Sequence, residues 1–232
     1  MFFDPVYLLF IAPAIILALY AQVRVQTAFA KYKKVAASSG LTGAQAAYEM
    51  LSTAGLTGSV SIERYEGFLS DHYDPRQRVL RLSPDVYGGR SLAALGVACH
   101  EAGHAIQHAS GYAPMAIRNA IVPVAGFGSS MSWLIIFLGV VLQSLNLVLI
   151  GVGLFATVVL FQIVNLPVEF NASARAKQVL RSTGMISSAG EYAAVSSVLN
   201  AAALTYVAAT ISAVLTLLYY LYRLGLLGGR ND

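Results

Sequence analysis

The chain has 232 residues, of which 57% are hydrophobic and only 11% charged, and its mean hydropathy is +0.65. Soluble domains carry about 25% charged residues, so this composition excludes a water-soluble globule, and it equally excludes a disordered chain, which needs low hydrophobicity and high net charge. The lone cysteine, Cys99, leaves no disulfide framework or Cys-rich zinc ribbon within one chain, and the net charge of +4 is better explained by membrane topology than by a nucleic-acid partner, so none is expected.

Four apolar stretches approach the roughly 20 residues that cross the hydrocarbon core of a bilayer. The first, Val6–Val23, is interrupted by Pro13 and flanked by Arg24. Met1–Asp4 carries no Lys or Arg, unlike the n-region of a cleaved signal peptide, so residues 1–23 are expected to remain as a spanning helix. A membrane-external α+β segment, 24–120, follows. Within it Val25–Ala37 reads as a basic helix, and Thr42–Leu51 as a second helix opened by Thr42 and closed near Gly55. Val60–Tyr65 and Val79–Leu82 alternate as strands do, with Asp74-Pro75 as a turn between them. Ser91 then caps a helix that reaches about Ala109.

Ile121–Val164 contains no Asp, Glu, Lys or Arg and predicts a transmembrane hairpin over 121–164, turning at Gln143, Ser144 and Asn146. A helical segment, 165–202, precedes the last span, which runs from about Ala203 to Tyr222 and stops at Arg223 within region 203–232. Basic residues set the orientation. Arg24, Lys31, Lys33 and Lys34 follow the first span, Arg118 precedes the second, and Arg175, Lys177 and Arg181 follow the third. The other side has no basic residue at the N-terminus or in the hairpin turn, and only Arg223 and Arg230 at the C-terminus. Segments 24–120 and 165–202 are therefore expected to share the cytoplasmic side, and any common site must be built from them.

The helix after Ser91 holds the chemistry. It reads Val97-Ala98-Cys99-His100-Glu101-Ala102-Gly103-His104-Ala105-Ile106-Gln107-His108. His100 and His104 are one helical turn apart, so both imidazoles can reach one metal ion, and Glu101 lies where a carboxylate can reach a water held there. A helix with incidental histidines is the bland reading, but three of the chain's four histidines fall within these nine positions. A catalytic zinc usually takes three protein ligands and leaves one position for water. After Glu101 the carboxylate side chains are Glu169, Glu191 and Asp232. Glu169 is the expected third ligand, because a carboxylate so near hydrocarbon is costly unless paired or metal-bound. Its bland reading is a first-turn carboxylate after Pro167, favoured by the helix dipole. Glu191 is the reserve.

His108 is rotated about 80° from His100 around a regular helix, so it is expected off the ligand face and solvated. Cys99, among small apolar neighbours, reads as an inert packed thiol. Asp71-His72-Tyr73-Asp74-Pro75 reads as turn chemistry with Asp74 making an Asx-type bond, although His72 or Tyr73 could steady an oxyanion.

Taken together, Ser39-Gly40-Leu41-Thr42-Gly43, Asp71 through Pro75, Val97 through His108, Leu166-Pro167-Val168-Glu169-Phe170 and Leu199-Asn200-Ala201-Ala202-Ala203-Leu204-Thr205-Tyr206 resemble the membrane-bound neutral zinc metallopeptidases, the YugP-like family, over essentially the whole chain. The resemblance implies a Zn2+-dependent endopeptidase with His100 and His104 as ligands and Glu101 as base. A more distant similarity, to HtpX-type and CAAX prenyl proteases, implies a third ligand from a glutamate on a later helix, which Glu169 matches by position. The family pattern often has an acidic residue where this chain has Asn171, a position from which a side chain can orient a ligand.

The expected fold is thus a mainly α membrane protein of about four transmembrane helices, with a small α+β, zincin-like cytoplasmic segment carrying the HExxH helix. Its expected place is a bacterial cytoplasmic membrane, its expected partners the lipid bilayer and a protein or peptide substrate. Either strand could pair with an extended substrate. The alternative is a non-catalytic membrane scaffold or adaptor with a structural metal site, for which the Gly126–Ser132 stretch would supply close helix packing. A site-2-type intramembrane protease ranks lower, because its downstream aspartate motif has no counterpart between Asp85 and Asp232. A transporter ranks last, since no charged residue falls inside the expected spans.

Overall fold

The computed structural model describes residues 5–67 and 70–227. The reading of Met1–Asp4, and the residues Arg230 and Asp232, lie outside the described residues. In chain order the elements are α1 (Pro5–Tyr32), α2 (Gly43–Thr53), β1 (Ser61–Arg64), β2 (His72–Asp74), β3 (Val79–Leu82), α3 (Pro84–Tyr87), α4 (Leu92–Ala109), α5 (Ala113–Val141), α6 (Leu145–Ser182) and α7 (Ala189–Arg223). Helices α1, α5, α6 and α7 are long and apolar enough to cross a membrane. The chain is a mainly α membrane protein with a small α+β segment. It divides into two compact units, one formed by the chain up to Ala21, Ala116–Leu166 and the chain from Thr205, the other by Gln22–Met115 and Pro167–Leu204.

The first unit is an apolar helical assembly. Its α5–α6 connection is tight: Gln143 takes a left-handed φ of 52°, and the Ser144 N–H donates to the Gly139 carbonyl at 2.8 Å. Gly128 permits close approach of the same two helices, since a Cβ there would lie 2.7 Å from the Leu154 carbonyl oxygen. Its neighbour Gly126 faces open space, so the small-residue stretch Gly126–Ser132 meets α6 at Gly128 and at the buried Ser132 but not along its whole length. Leu9, Ile16 and Phe137 are exposed in the protein itself, as side chains that meet lipid must be.

The second unit has a core of the soluble kind. Met50, Leu51, Leu80, Leu82, Val86 and Leu95 are fully buried, together with Val168, Leu180, Val195 and Leu199. Each such side chain contributes about 1.5–3 kcal/mol through removal from water. Helix α2 opens with a capping box: Thr42 Oγ1 accepts from the Gln45 N–H, and Gln45 Oε1 from the Thr42 N–H. Helix α1 ends at Tyr32 rather than continuing to Ala37, because Ala36 pairs with Ser91 in an isolated bridge. Ser91 then caps α4, its side chain accepting from the Ala94 N–H.

The sheet departs from the sequence expectation. It has three strands in the order β1-β3-β2, with β1 parallel to β3 and β2 antiparallel to it. The turn at Asp74-Pro75 therefore joins β2 to β3 and does not link β1 to β3. Asp74 Oδ1 accepts from the N–H groups of Arg76 and Gln77 at 2.9 and 3.0 Å, the Asx turn expected there, and this closes the hairpin. In register, Tyr73 faces Leu80. The extra strand comes from residues whose polarity hides a strand, because β3 supplies the ladder and the core beneath it.

Candidate metal centre

All of the candidate ligands belong to the second unit. Helix α4 presents His100 and His104 from successive turns, their rings 4.7 Å apart and edge-on. Helix α6 brings Glu169 to them. Its Oε2 lies 3.2 Å from His100 Nε2 and 3.6 Å from His104 Nε2, and the carboxyl side chain is only 3% exposed. The approach depends on Gly103, which sits between the two histidine turns. A Cβ on Gly103 would stand 2.9 Å from the Ala172 carbonyl oxygen of α6, so any larger residue would push the two helices apart.

The far side of each imidazole is also engaged. His100 Nδ1 is 3.1 Å from Ser173 Oγ, and His104 Nδ1 is 2.9 Å from Gln107 Oε1. Fully buried Gln107 in turn donates through Nε2 to the Val168 carbonyl at 2.8 Å and to Asn171 Oδ1 at 3.0 Å. Arg175 Nε donates to the same Asn171 oxygen at 2.8 Å. Both Nε2 atoms are thereby left to face Glu169. One ligand atom from each of His100, His104 and Glu169 falls within 4.8 Å of the others, a group that could hold a metal ion. Two imidazole nitrogens and a carboxylate oxygen, each ring steadied from its other nitrogen, are a donor set that fits zinc.

The electrostatics follow from burial. Glu101 is largely buried, which raises its carboxyl above the usual range; the nearby His100 and His104 pull it back, and Glu169 and Asp71 push it further up. For His104, burial opposes a charge, but the Glu169 carboxylate 3.6 Å from its Nε2 and the negative field of Glu101 outweigh it and raise the imidazole above its ordinary 6.5. Burial pushes the Cys99 thiol far up, which makes it the inert packed group expected.

Other expected residues are placed differently. His108 is half-buried rather than solvated, and its Nδ1 lies 2.9 Å from the Tyr73 hydroxyl, which ties β2 to the end of α4. His108 stands outside the His100, His104 and Glu169 group, and the neighbour that covers it comes from β2. His72 Nδ1–H donates to the Ser70 carbonyl, and its ring meets Tyr65 edge-on. Glu191 is not with the histidines. Its carboxylate accepts from the backbone N–H groups of Ser38, Ser187 and Ser188, pinning the loop after α1 to the start of α7. Gln107 and Ser173 escaped the sequence reading. Their only signal was spacing, three residues beyond His104 and four beyond Glu169, which puts each on its partner's helix face.

An HExxH helix facing a buried glutamate on a membrane-spanning helix defines the class: a membrane protein with a metallopeptidase-type metal site. Residues 7–225 match the family described as "Putative neutral zinc metallopeptidase", and the chain belongs to that family. It is similar to "Putative membrane protease YugP" of Bacillus subtilis (strain 168), with 47% identity over 216 residues, covering 93% of this chain and 94% of that protein. No solved structure matches the chain at a significant level.

Proposed function

We propose that the chain is a membrane-embedded zinc metalloendopeptidase in which His100, His104 and Glu169 hold the metal and Glu101 is the general base. The observation that carries this reading is the convergence of two imidazoles and one carboxylate within 4.8 Å, with the buried Glu101 on the same helix. When bound, zinc supplies Lewis acidity, making a water more acidic and a carbonyl more electrophilic. Glu101 accepts the proton of the attacking water on a carboxylate oxygen and returns it to the leaving amine. A base raised above its ordinary 4.5 by burial suits that exchange, because proton transfer in both directions is easiest when the group's affinity is near that of the medium. Ser173 and Gln107 keep the two rings from rotating while this happens.

The substrate is a protein or peptide, bound as an extended strand. Strand β3 is paired on both sides, so of the two strands expected for this role only β1 has a free edge, and β2 offers the other. The basic residues Lys31, Lys33, Lys34, Arg175, Lys177 and Arg181 support a cytoplasmic site in a bacterial membrane.

The test is Glu101→Gln, assayed in detergent for zinc content and for cleavage of an unstructured protein such as casein. Zinc is expected to stay near that of the wild type while turnover falls about 10²–10⁴-fold. Proteolysis equal to the wild type would overturn the assigned base, and a wild type that binds zinc without cleaving anything would leave the structural-metal scaffold as the better reading.

A further inference from the structure

We infer that Arg175, Asn171 and Gln107 form a polarity relay that fixes the proton of His104 on Nδ1 and so keeps its Nε2 lone pair directed at the metal position. The inference rests on the proposal that His104 is a ligand. Two groups whose donor or acceptor character is fixed by covalent chemistry anchor the relay. Arg175 Nε can only donate, so the Asn171 atom 2.8 Å away is its oxygen. The Val168 carbonyl can only accept, so the Gln107 atom 2.8 Å away is its nitrogen. Both anchors give the same orientation of Gln107, whose NH2 group bridges the Val168 carbonyl and Asn171 Oδ1. The remaining Gln107 atom is then the oxygen, and it faces His104 Nδ1 at 2.9 Å. An oxygen that only accepts requires Nδ1 to carry hydrogen, which in a neutral ring leaves Nε2 bare.

The arrangement is more specific than a filled cavity. Gln107 is 0% exposed, so none of its bonds can be replaced by water without opening the α4–α6 contact. Two of its three partners, Val168 and Asn171, lie on α6, as does Arg175, which orients Asn171; the same helix also carries Glu169. One helix therefore supplies a ligand and also orients a ligand on its neighbour. Asn171 is the informative position, because an aspartate there would still accept from both Arg175 and Gln107 and preserve the polarity, whereas leucine would accept from neither.

The test uses the full chain in detergent with 15N-labelled histidine, with and without zinc. At alkaline pH, where the ring is neutral, the metal-free wild type is expected to show His104 as the Nδ1–H tautomer, and zinc is expected to shift Nε2 while Nδ1 keeps its proton. Gln107→Leu is expected to mix the tautomers and weaken zinc binding, read by chelator competition, by about 10–100-fold. Asn171→Leu should give a smaller loss in the same direction, and Asn171→Asp should match the wild type in both tautomer and affinity. That pair keeps the test decisive if Gln107→Leu does not fold. An Nε2–H tautomer in the wild type overturns the relay, as does an Asn171→Asp variant no better than Asn171→Leu. A wild type that binds no zinc fails the ligand assignment instead, which the tautomer measurement would still read separately.

Discussion

In the unit that contains most of α5 and the hydrophobic halves of α6 and α7, hydroxyl side chains bond mostly to carbonyls of their own helix, with Thr210 Oγ1 also reaching the Gln162 carbonyl of α6 at 3.3 Å. Thr157 Oγ1 donates to the Leu154 carbonyl, Ser212 Oγ to the Ala208 carbonyl and Thr216 Oγ1 to the Ser212 carbonyl, each three or four residues back. In the unit around α4, the candidate site adds to local bonds such as His104 with Gln107 a set that spans 61 to 73 residues, Gln107 with Val168, Glu169 with His100 and Ser173 with His100. The difference is physical. A hydroxyl facing hydrocarbon has no water to fall back on and takes the nearest carbonyl, whereas a metal-type site needs donors converging from separate elements. Local partnerships are expected to tolerate substitution one residue at a time, and long-range ones are not.

The largest expected effect strikes the long-range set directly. Glu169→Ala removes the carboxylate that α6 brings to α4 and leaves both Nε2 atoms without it. Zinc content near one per chain in the wild type should fall sharply in this variant, measured by elemental analysis after purification in detergent. Equal zinc in both proteins would mean that Glu169 is not the third ligand.

Next comes the contact that makes the convergence possible. Gly103→Ala places a Cβ 2.9 Å from the Ala172 carbonyl oxygen, a backbone atom that cannot swing aside. Alanine is the better helix former by about 1 kcal/mol, yet overpacking of this kind costs about 1–3 kcal/mol. The net expectation is a lower thermal midpoint together with weaker zinc binding, because Glu169 moves with α6. A variant with unchanged zinc affinity would show that the helices can separate without disturbing the ligands, and would weaken the contrast between the two units.

The same contrast explains what could be read in advance. Four long apolar helices, the Ser91 and Thr42 caps and a helix carrying the HExxH pattern are local features, and the structure has each of them. Strand β2 did not announce itself, since His72 and Asp74 are poor strand formers in isolation and their pairing is set by Leu80 and its neighbours. The role of Gln107 is hidden for a related reason: nothing within α4 says that Val168 and Asn171 will stand opposite it. His108 is half-buried, where the sequence alone predicts a solvated side chain, because the Tyr73 hydroxyl that meets it belongs to that same strand.

Asp71 gives a smaller, pH-dependent effect in the site unit. Burial raises its carboxyl above the ordinary 3.8, and hydrogen bonds from the Ser83 N–H and hydroxyl only partly offset this. A carboxyl raised on folding holds its proton more tightly in the folded state. Its contribution to stability is therefore greatest at low pH and is lost as pH rises past 3.8 through the raised folded value. Asp71→Asn keeps an acceptor for the Ser83 N–H and removes the charge. Its thermal midpoint should gain on that of the wild type as pH rises through this window; parallel curves would remove Asp71 from the account.

The smallest effect sharpens the comparison most cleanly, because it pairs two residues of equal burial. Gln107 and Ser132 are both 0% exposed, but Gln107 bonds to three residues, whereas the Ser132 hydroxyl has no hydrogen-bond partner among the described residues. Ser132 sits where α5 meets α6, its carbonyl oxygen 3.1 Å from where a Cβ on Gly151 would stand, so its role there is to be small. Ser132→Ala keeps that size and deletes an unsatisfied polar atom, which by itself costs about 1–3 kcal/mol when buried. The expected result is a thermal midpoint equal to or above that of the wild type, with zinc content unchanged. A clear loss of thermal midpoint would show that the Ser132 hydroxyl contributes a bond inside the helical unit, and that its polar atoms are as interdependent as those of the metal site.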